Sequence, residues 1–275
     1  MGSNIENINY GETLTNIETY IAVYKYALKK AQSPLLKTFL MGIASGLFIG
    51  IAYIGAIFGS RGLMDNGIKN LTFGFIFTLA ITMIVFMGGE LFTSNSMIFM
   101  PLIKKQVKLT TMLMNLLVVL IGNFVGCFIL SLFTWWAGFF DNKAFLDNAV
   151  SIFDHKLALS WWKALFSGIL CNFLVAGSVY ISHATRSSTA KFLLISLVIM
   201  VFALSGFSHV VANAYVWGLE PLFNIYGVHR DFNVFLQFGY QIQLPTLIGN
   251  FIGGVVLLPG MYYLMFRKDL PKIEL

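Results

Sequence analysis

Two short stretches place small, polar and titratable residues in the middle of apolar runs long enough to cross a bilayer. In MGGELFTSNSM, residues 87–97, Gly88 and Asn95 stand seven apart; in SGFSHVVANAY, residues 205–215, so do Gly206 and Asn213. The second stretch also carries His209, whose imidazole exchanges a proton near neutral pH. An ionisable group inside a membrane span is a functional candidate by default. Gly88-Gly89 and Ser205-Gly206 would each interrupt a helix, and interrupted backbone is tolerated at membrane depth only beside a water-filled cavity or buried in protein. The half-helix that follows each break has free N–H groups and a positive dipole end, which favour an anion. Polar Thr93, Ser94, Asn95, Asn172, Ser208 and Asn213 surround these points, as do bulky apolar Leu91, Phe92, Phe202 and Phe207. A path narrowed by apolar rings is poor for a hydrated ion and passable for a small neutral acid. The chemistry these residues suit is the protonation of a weak-acid anion in transit, with His209, opposite a threonine in the other break, relaying the proton.

Blander readings of the same residues exist. Small residues and asparagines in spans also serve close helix packing, and Asn123 and Asn250 read best as such interhelical glue. Glu90, taken as the one acidic residue inside a span, reads as an acceptor for N–H groups at a helix start. Repetition is what argues against packing alone for the breaks.

The frame that holds these residues is a membrane frame. Of 275 residues 57% are hydrophobic and only 11% charged, where a soluble domain keeps roughly a quarter charged; mean hydropathy is +0.78. The net charge of +6 therefore bears on orientation in a bilayer, not on nucleic acid. Cys127 and Cys171 both fall in apolar spans and indicate neither a disulfide nor a redox compartment. The polar opening MGSNIENINYGE shows no cleavable-signal pattern.

Residues 13–32 read as an amphipathic helix with Ile17, Ile21, Tyr24 and Leu28 in one stripe and Glu18, Lys25 and Lys29 facing away. Six spans follow, near 35–58, 71–100, 110–139, 161–182, 190–218 and 243–266, the second and fifth interrupted. With the N-terminus inside, twelve Lys and Arg lie on the inner side (Lys25, Lys29, Lys30, Lys37, Lys104, Lys105, Lys108, Arg186, Lys191, Arg267, Lys268, Lys272) and six on the outer (Arg61, Lys69, Lys143, Lys156, Lys163, Arg230). That bias puts both termini in the cytoplasm. KTFLMGI at 37–43 is echoed by KALFSGI at 163–169, and IGNFVG at 121–126 by IGNFIG at 248–253. Two halves of three spans each must insert with opposite topology, which is the inverted 3+3 repeat of channels and transporters, with its site near the midplane. The expected organisation is a cytoplasmic helix over 1–33, a channel domain over 34–270 with repeats at about 34–140 and 160–268, and a cytoplasmic tail over 269–275.

The pieces GGELFTSNSM (88–97), GILCNFLV (168–175), SGFSHVVANAY (205–215) and IGNFIGG (248–254) together resemble the formate/nitrite transporter family, whose members include hydrosulfide channels. The resemblance implies an aquaporin-like, all-α membrane fold and a homopentamer with a pore in each protomer. It places the family's central histidine on His209, its threonine partner on Thr93, its constriction on Leu91, Phe92 and Phe202, and its pore asparagine on Asn172. The vestibule lysine that attracts anions best matches Lys156. Lys163 is a second candidate, although its echo in Lys37 suggests a helix-end role. Ser208 departs from the pattern, because formate members often carry an acid before the histidine.

The reading is a channel or transporter in the cell (inner) membrane for small monovalent weak-acid anions (formate, nitrite or hydrosulfide), with the N-terminal helix packed at the cytoplasmic mouth as a gate or an anchor. An aquaporin-like neutral-solute pore is the alternative, though the paired Asn-Pro-Ala motif is missing. His155, His183 and His229 sit at span ends or in loops, and no triad, phosphate loop or metal-ligand cluster is visible, so neither an enzyme nor a bound cofactor is expected.

Overall fold

The computed structural model describes residues 11–268; the tail 269–275, with Lys272, and residues 1–10 lie outside them. The described chain is helical, with one isolated bridge between Thr13 and Thr185. Helix α1 spans Asn16–Ala31, α2 Leu35–Ser60, α3 Asn66–Gly88, α4 Phe92–Ile103 and α5 Leu109–Trp136. There follow α6 Lys143–Leu157, α7 Trp161–Ser182, α8 Ser188–Leu204, α9 Val210–Phe223 and α10 Phe232–Phe266. Helices α2, α3, α5, α7 and α10 are each long and apolar enough to cross a membrane, and α4 and α8 are shorter apolar helices.

The ends of these elements follow from local chemistry. Thr15 caps α1 in a reciprocal box: its backbone N–H donates to Glu18 Oε2 at 2.8 Å while its hydroxyl oxygen accepts from the Glu18 N–H at 3.4 Å. Lys29 and Lys30 occupy the last turn, where cations complement the helix dipole. Asn142, Ser160 and Ser187 cap α6, α7 and α8 in the same way, each accepting from an N–H three residues on. In α10, Pro245 and Pro259 withhold N–H groups that a continuous α-ladder needs, and each follows a π-helical turn, Gly239–Gln243 and Ile252–Leu257.

The structure corrects three sequence expectations. The buried face of α1 carries Tyr20, Val23, Tyr24, Ala27, Leu28 and Ala31, so Tyr24 and Leu28 of the expected stripe are buried while Ile17 and Ile21 stand half-buried at its edge. It packs on Met97 and Met100 of α4, Ala176 and Tyr180 of α7 and Leu258 of α10. Lys30 also turns inward, where a carboxylate meets it. Second, α10 begins at Phe232 rather than 243, because Gln237, Gln241 and Gln243 mask its first turns from a hydropathy reading. Third, residues 143–157 are more than a connection between spans. They form α6, an amphipathic helix lying across the C-terminal end of α2, where the Asn148 amide donates to Ile57 O at 3.1 Å and Ser60 Oγ at 3.0 Å.

The repeated sequence motifs produce repeated contacts. Gly126 of α5 lies against Ile43 O and Gly253 of α10 against Ile169 O so closely that neither has room for a Cβ. The α2–α5 and α7–α10 pairs are thus joined by the same small-residue contact.

Candidate functional site

Helix α3 ends at Gly88, Gly89 to Leu91 are extended, and α4 starts at Phe92. Likewise α8 ends at Leu204 and α9 starts at Val210. Gly88 and Gly206 have φ of +87° and +68°, a region that side chains with a Cβ rarely adopt. Each break is held by one asparagine. Asn123 Nδ2 donates to Gly42 O at 2.9 Å and Glu90 O at 2.8 Å, while its Oδ1 accepts from Phe92 N–H at 3.0 Å. Asn250 Nδ2 donates to Gly168 O at 2.8 Å and Ser208 O at 3.0 Å, and its Oδ1 accepts from Val210 N–H at 2.9 Å. The same three bonds at each break equate Glu90 with Ser208 and Leu91 with His209. They also revise the expectation of free N–H groups: the first donor of each half-helix is already taken by an asparagine, and Ser208 N–H by Ser167 Oγ at 2.9 Å.

His209 caps α9, its Nδ1 accepting from the Ala212 N–H at 3.1 Å. An acceptor Nδ1 leaves the proton of the neutral ring on Nε2, which donates to Thr93 Oγ1 at 3.1 Å across the two breaks. The ring is 3% exposed and lies 5.8 Å, centroid to centroid, from Phe202. His209, Leu91 and Phe202 share an apolar chamber with Ile49, Phe77, Ala80, Ile81, Ile84, Val175 and Ile199, of only about 20 Å³. That is space for about one water.

Beyond this chamber, on the side of α6, lies a far larger cavity of about 490 Å³ lined by Lys69, His155, Lys156, Asn66, Asn70 and Ser151 among others, and by no carboxylate among the described residues. Phe77 and Phe202, 5.8 Å apart edge to face, line both spaces and form the partition between them. Phe77 thus shares the partition with Phe202, and sequence reading missed it; its signal was weak, one phenylalanine among many in an apolar span. Phe92 is buried but lines neither cavity. Asn172 also stands outside them: its Nδ2 donates to Asn250 O at 2.6 Å, and its buried Oδ1 has no hydrogen-bond partner among the described residues. Lys156 reaches the large cavity from the last turn of α6, whereas Lys163 is exposed on the first turn of α7. Burial pushes the Lys156 ammonium from 10.5 down to about 8.

On the opposite side of the chamber, Lys30 of α1 donates to Glu90 Oε2 at 2.6 Å and to Asn95 Oδ1 at 2.8 Å, with both charges buried. Asn95 donates on to Asn115 Oδ1 at 2.8 Å, and Asn115 to Lys30 O at 3.2 Å. Glu90 is thus an ion-pair partner rather than a helix-start acceptor. A second buried acid, Glu220, lies in α9 just past the expected end of the fifth span, with Oε1 unpartnered among the described residues. Among the described residues no group of three or more His, Cys, Asp or Glu could hold a metal.

Comparison with known proteins accords with this geometry. A family model described as formate/nitrite transporter matches residues 17–264. The chain is 31% identical to the formate-nitrite transporter of Entamoeba histolytica over 83% of its own length and 64% of that protein's. It is 30% identical to the formate channel FocA of Escherichia coli K12, covering 87% of this chain and 90% of the relative. A solved pentameric formate channel with formate bound superposes with a TM-score of 0.74 at 28% identity, covering 85% of this chain and 98% of that one.

Proposed function

Because the chain belongs to the formate/nitrite transporter family, we propose that it conducts small monovalent weak-acid anions (formate, nitrite or hydrosulfide) through a pore in each protomer of a homopentamer. A solved relative is a pentameric formate channel, which supports both the assembly and formate as the first anion to assay. In this reading the broken segments α3–α4 and α8–α9 are the second and fifth of six crossings in an inverted repeat, residues 34–270 are the channel domain, and α1 sits at the cytoplasmic mouth. The protein lies in the inner membrane with both termini cytoplasmic.

The path runs from solvent to the 490 Å³ vestibule, where Lys156 gathers the anion, and then past Phe77 and Phe202 to the chamber at His209. A bare anion entering an apolar chamber loses hydration that one backbone dipole cannot replace. Protonation removes most of that penalty. The observation that carries the proposal is the Thr93–His209 hydrogen bond at the edge of a chamber with room for about one water. In this reading His209 takes up a proton from vestibule water at Nδ1, letting go of the Ala212 N–H, and hands its Nε2 proton to the substrate, which returns the ring to neutral; Thr93 orients that Nε2. Leu91 lines the chamber, and Asn172 donates to the carbonyl of Asn250, whose side chain holds the α8–α9 break. A neutral-solute pore of aquaporin type is disfavoured by the carboxylate-free vestibule around Lys156.

The test is His209→Asn. Asparagine is a good helix N-cap and can hydrogen-bond, so α9 keeps its start, but the amide does not titrate near neutrality. Formate uptake into proteoliposomes should persist in the variant and lose the pH dependence of the wild type. An unchanged pH profile would mean that water protonates the substrate and that the histidine is only a polar spacer.

A further inference from the structure

A helix that passes from α to π for one turn shifts its side chains out of register, and such turns gather where side chains are used. The first π turn of α10, Gly239–Gln243, presents two glutamine amides to two different partners. Gln241 Nε2 donates to the carbonyls of Leu157 at 3.1 Å and Leu159 at 3.0 Å, and its Oε1 accepts from Gln237 Nε2 at 2.9 Å. Leu157 is the last residue of α6, directly after Lys156, and carbonyls at a helix C-terminus have no intrahelical partner. Gln243 Nε2 donates to Val210 O at 3.1 Å, directly after His209. Nearby, Arg230 braces the same turn of α6, paired with Asp154 at 2.7 Å and lying 4.9 Å from the Phe153 ring centre.

We propose that the π turn Gly239–Gln243 is the positioning element that sets Lys156 relative to His209, Gln241 holding the end of the lysine's helix and Gln243 the turn that follows the histidine. One segment of α10 thereby references both the group that gathers the anion and the ring that relays the proton. The inference rests on the roles proposed above for Lys156 and His209.

Gln241→Met and Gln243→Met keep side-chain length and remove the donor. With the full-length protein in proteoliposomes and formate as the probe, Gln241→Met should raise the half-saturation concentration about three- to tenfold while the maximal rate and pH profile stay within about twofold. Gln243→Met should shift the pH profile and leave half-saturation within about twofold. Gln237→Met, which removes only the bond that orients the Gln241 amide, should move half-saturation in the same direction by less, and serves if Gln241→Met does not fold. The double variant Gln241→Met/Lys156→Met should match Lys156→Met alone, because both changes act through the ammonium. Independent multiplication of the two effects, or an equal loss of maximal rate in both glutamine variants with no split, would overturn the positioning role and leave these bonds as packing. If Lys156→Met itself left half-saturation unchanged, the reading of the vestibule would fail first; a rise in Lys156→Met without one in Gln241→Met would sink the positioning role alone.

Discussion

His209 and Lys156 make opposite demands on water. The ring sits where about one water fits, whereas the ammonium sits in a cavity of about 490 Å³. On the proposed path an anion stays hydrated at Lys156 and sheds its shell between Phe77 and Phe202. Burial brings Lys156 down to about 8, so the ammonium is charged below that pH and loses its charge as pH rises through it. Half-saturation for formate should rise between external pH 7 and 9 at fixed internal pH, and in Lys156→Met it should be high and flat over the same window. A wild-type value that stayed flat would remove the lysine from the collecting role, with His155 and Lys69 as the other basic side chains lining the cavity. At the partition, Phe202→Ala opens the chamber to the vestibule. Flux of larger weak acids such as lactate should then rise relative to formate, as competition uptake would measure; an unchanged ratio would place the size filter elsewhere.

At the scale of elements, the breaks depend on two asparagines and one ion pair. Asn250→Leu strands Ser208 O and Val210 N–H at the break, and each buried unpaired group costs about 1–3 kcal/mol. Thermal unfolding in detergent should show a midpoint several degrees lower, with flux falling because His209 loses its platform; an unshifted midpoint would mean that water replaces the amide. Lys30→Met leaves Glu90 buried and unpaired, at a cost of about 3–5 kcal/mol, while Lys30→Met/Glu90→Gln should recover much of it. A double variant as unstable as the single one would show that Lys30 matters for packing rather than charge. These contacts mark where sequence reading stops. Paired glycines and seven-residue spacings are legible because helix interruption is a local property of the chain. The partners of Asn123 lie 81, 33 and 31 residues away in sequence and those of the Lys30 ammonium 60 and 65 away, so only the fold brings them together. The repeat singles out IGNF without saying what its asparagine touches. Helix α1 reads as amphipathic with Lys25 and Lys29 facing away, as they do, but its buried face is shifted toward Tyr20 and Val23, and Lys30 is held inside by a carboxylate sixty residues on. Helix α6 escapes a hydropathy reading, as its apolar face is covered by loops and neighbouring helices rather than lipid.

At the scale of the whole molecule, Leu36 at 70%, Phe75 at 67% and Trp136 and Trp162 at 65% are the kind of exposed apolar side chains that water would not tolerate in such number. They lie on the outer faces of α2, α3, α5 and α7, where lipid or a neighbouring protomer can cover them. Both cavities lie between helices of the protomer. On the proposed reading each protomer of a symmetric pentamer holds its own path through these cavities, giving five separate pores rather than one shared at the axis. This distinction can be measured. Wild-type and His209→Phe chains, differently tagged, are co-expressed at several ratios, and mixed pentamers are purified and reconstituted. The phenylalanine removes the proton relay and overfills a chamber of about 20 Å³, so it silences its own protomer while leaving the lipid-facing surface untouched. If each protomer conducts alone, formate flux per pentamer should fall in direct proportion to the fraction of wild-type chains. A single conduit lined by all five subunits would instead be impaired by one variant chain, and flux would drop steeply at the first small addition. Linear dependence would place the site within each protomer, where Thr93 and His209 meet; a steep curve would move it to the axis and leave the buried chamber without a transport role.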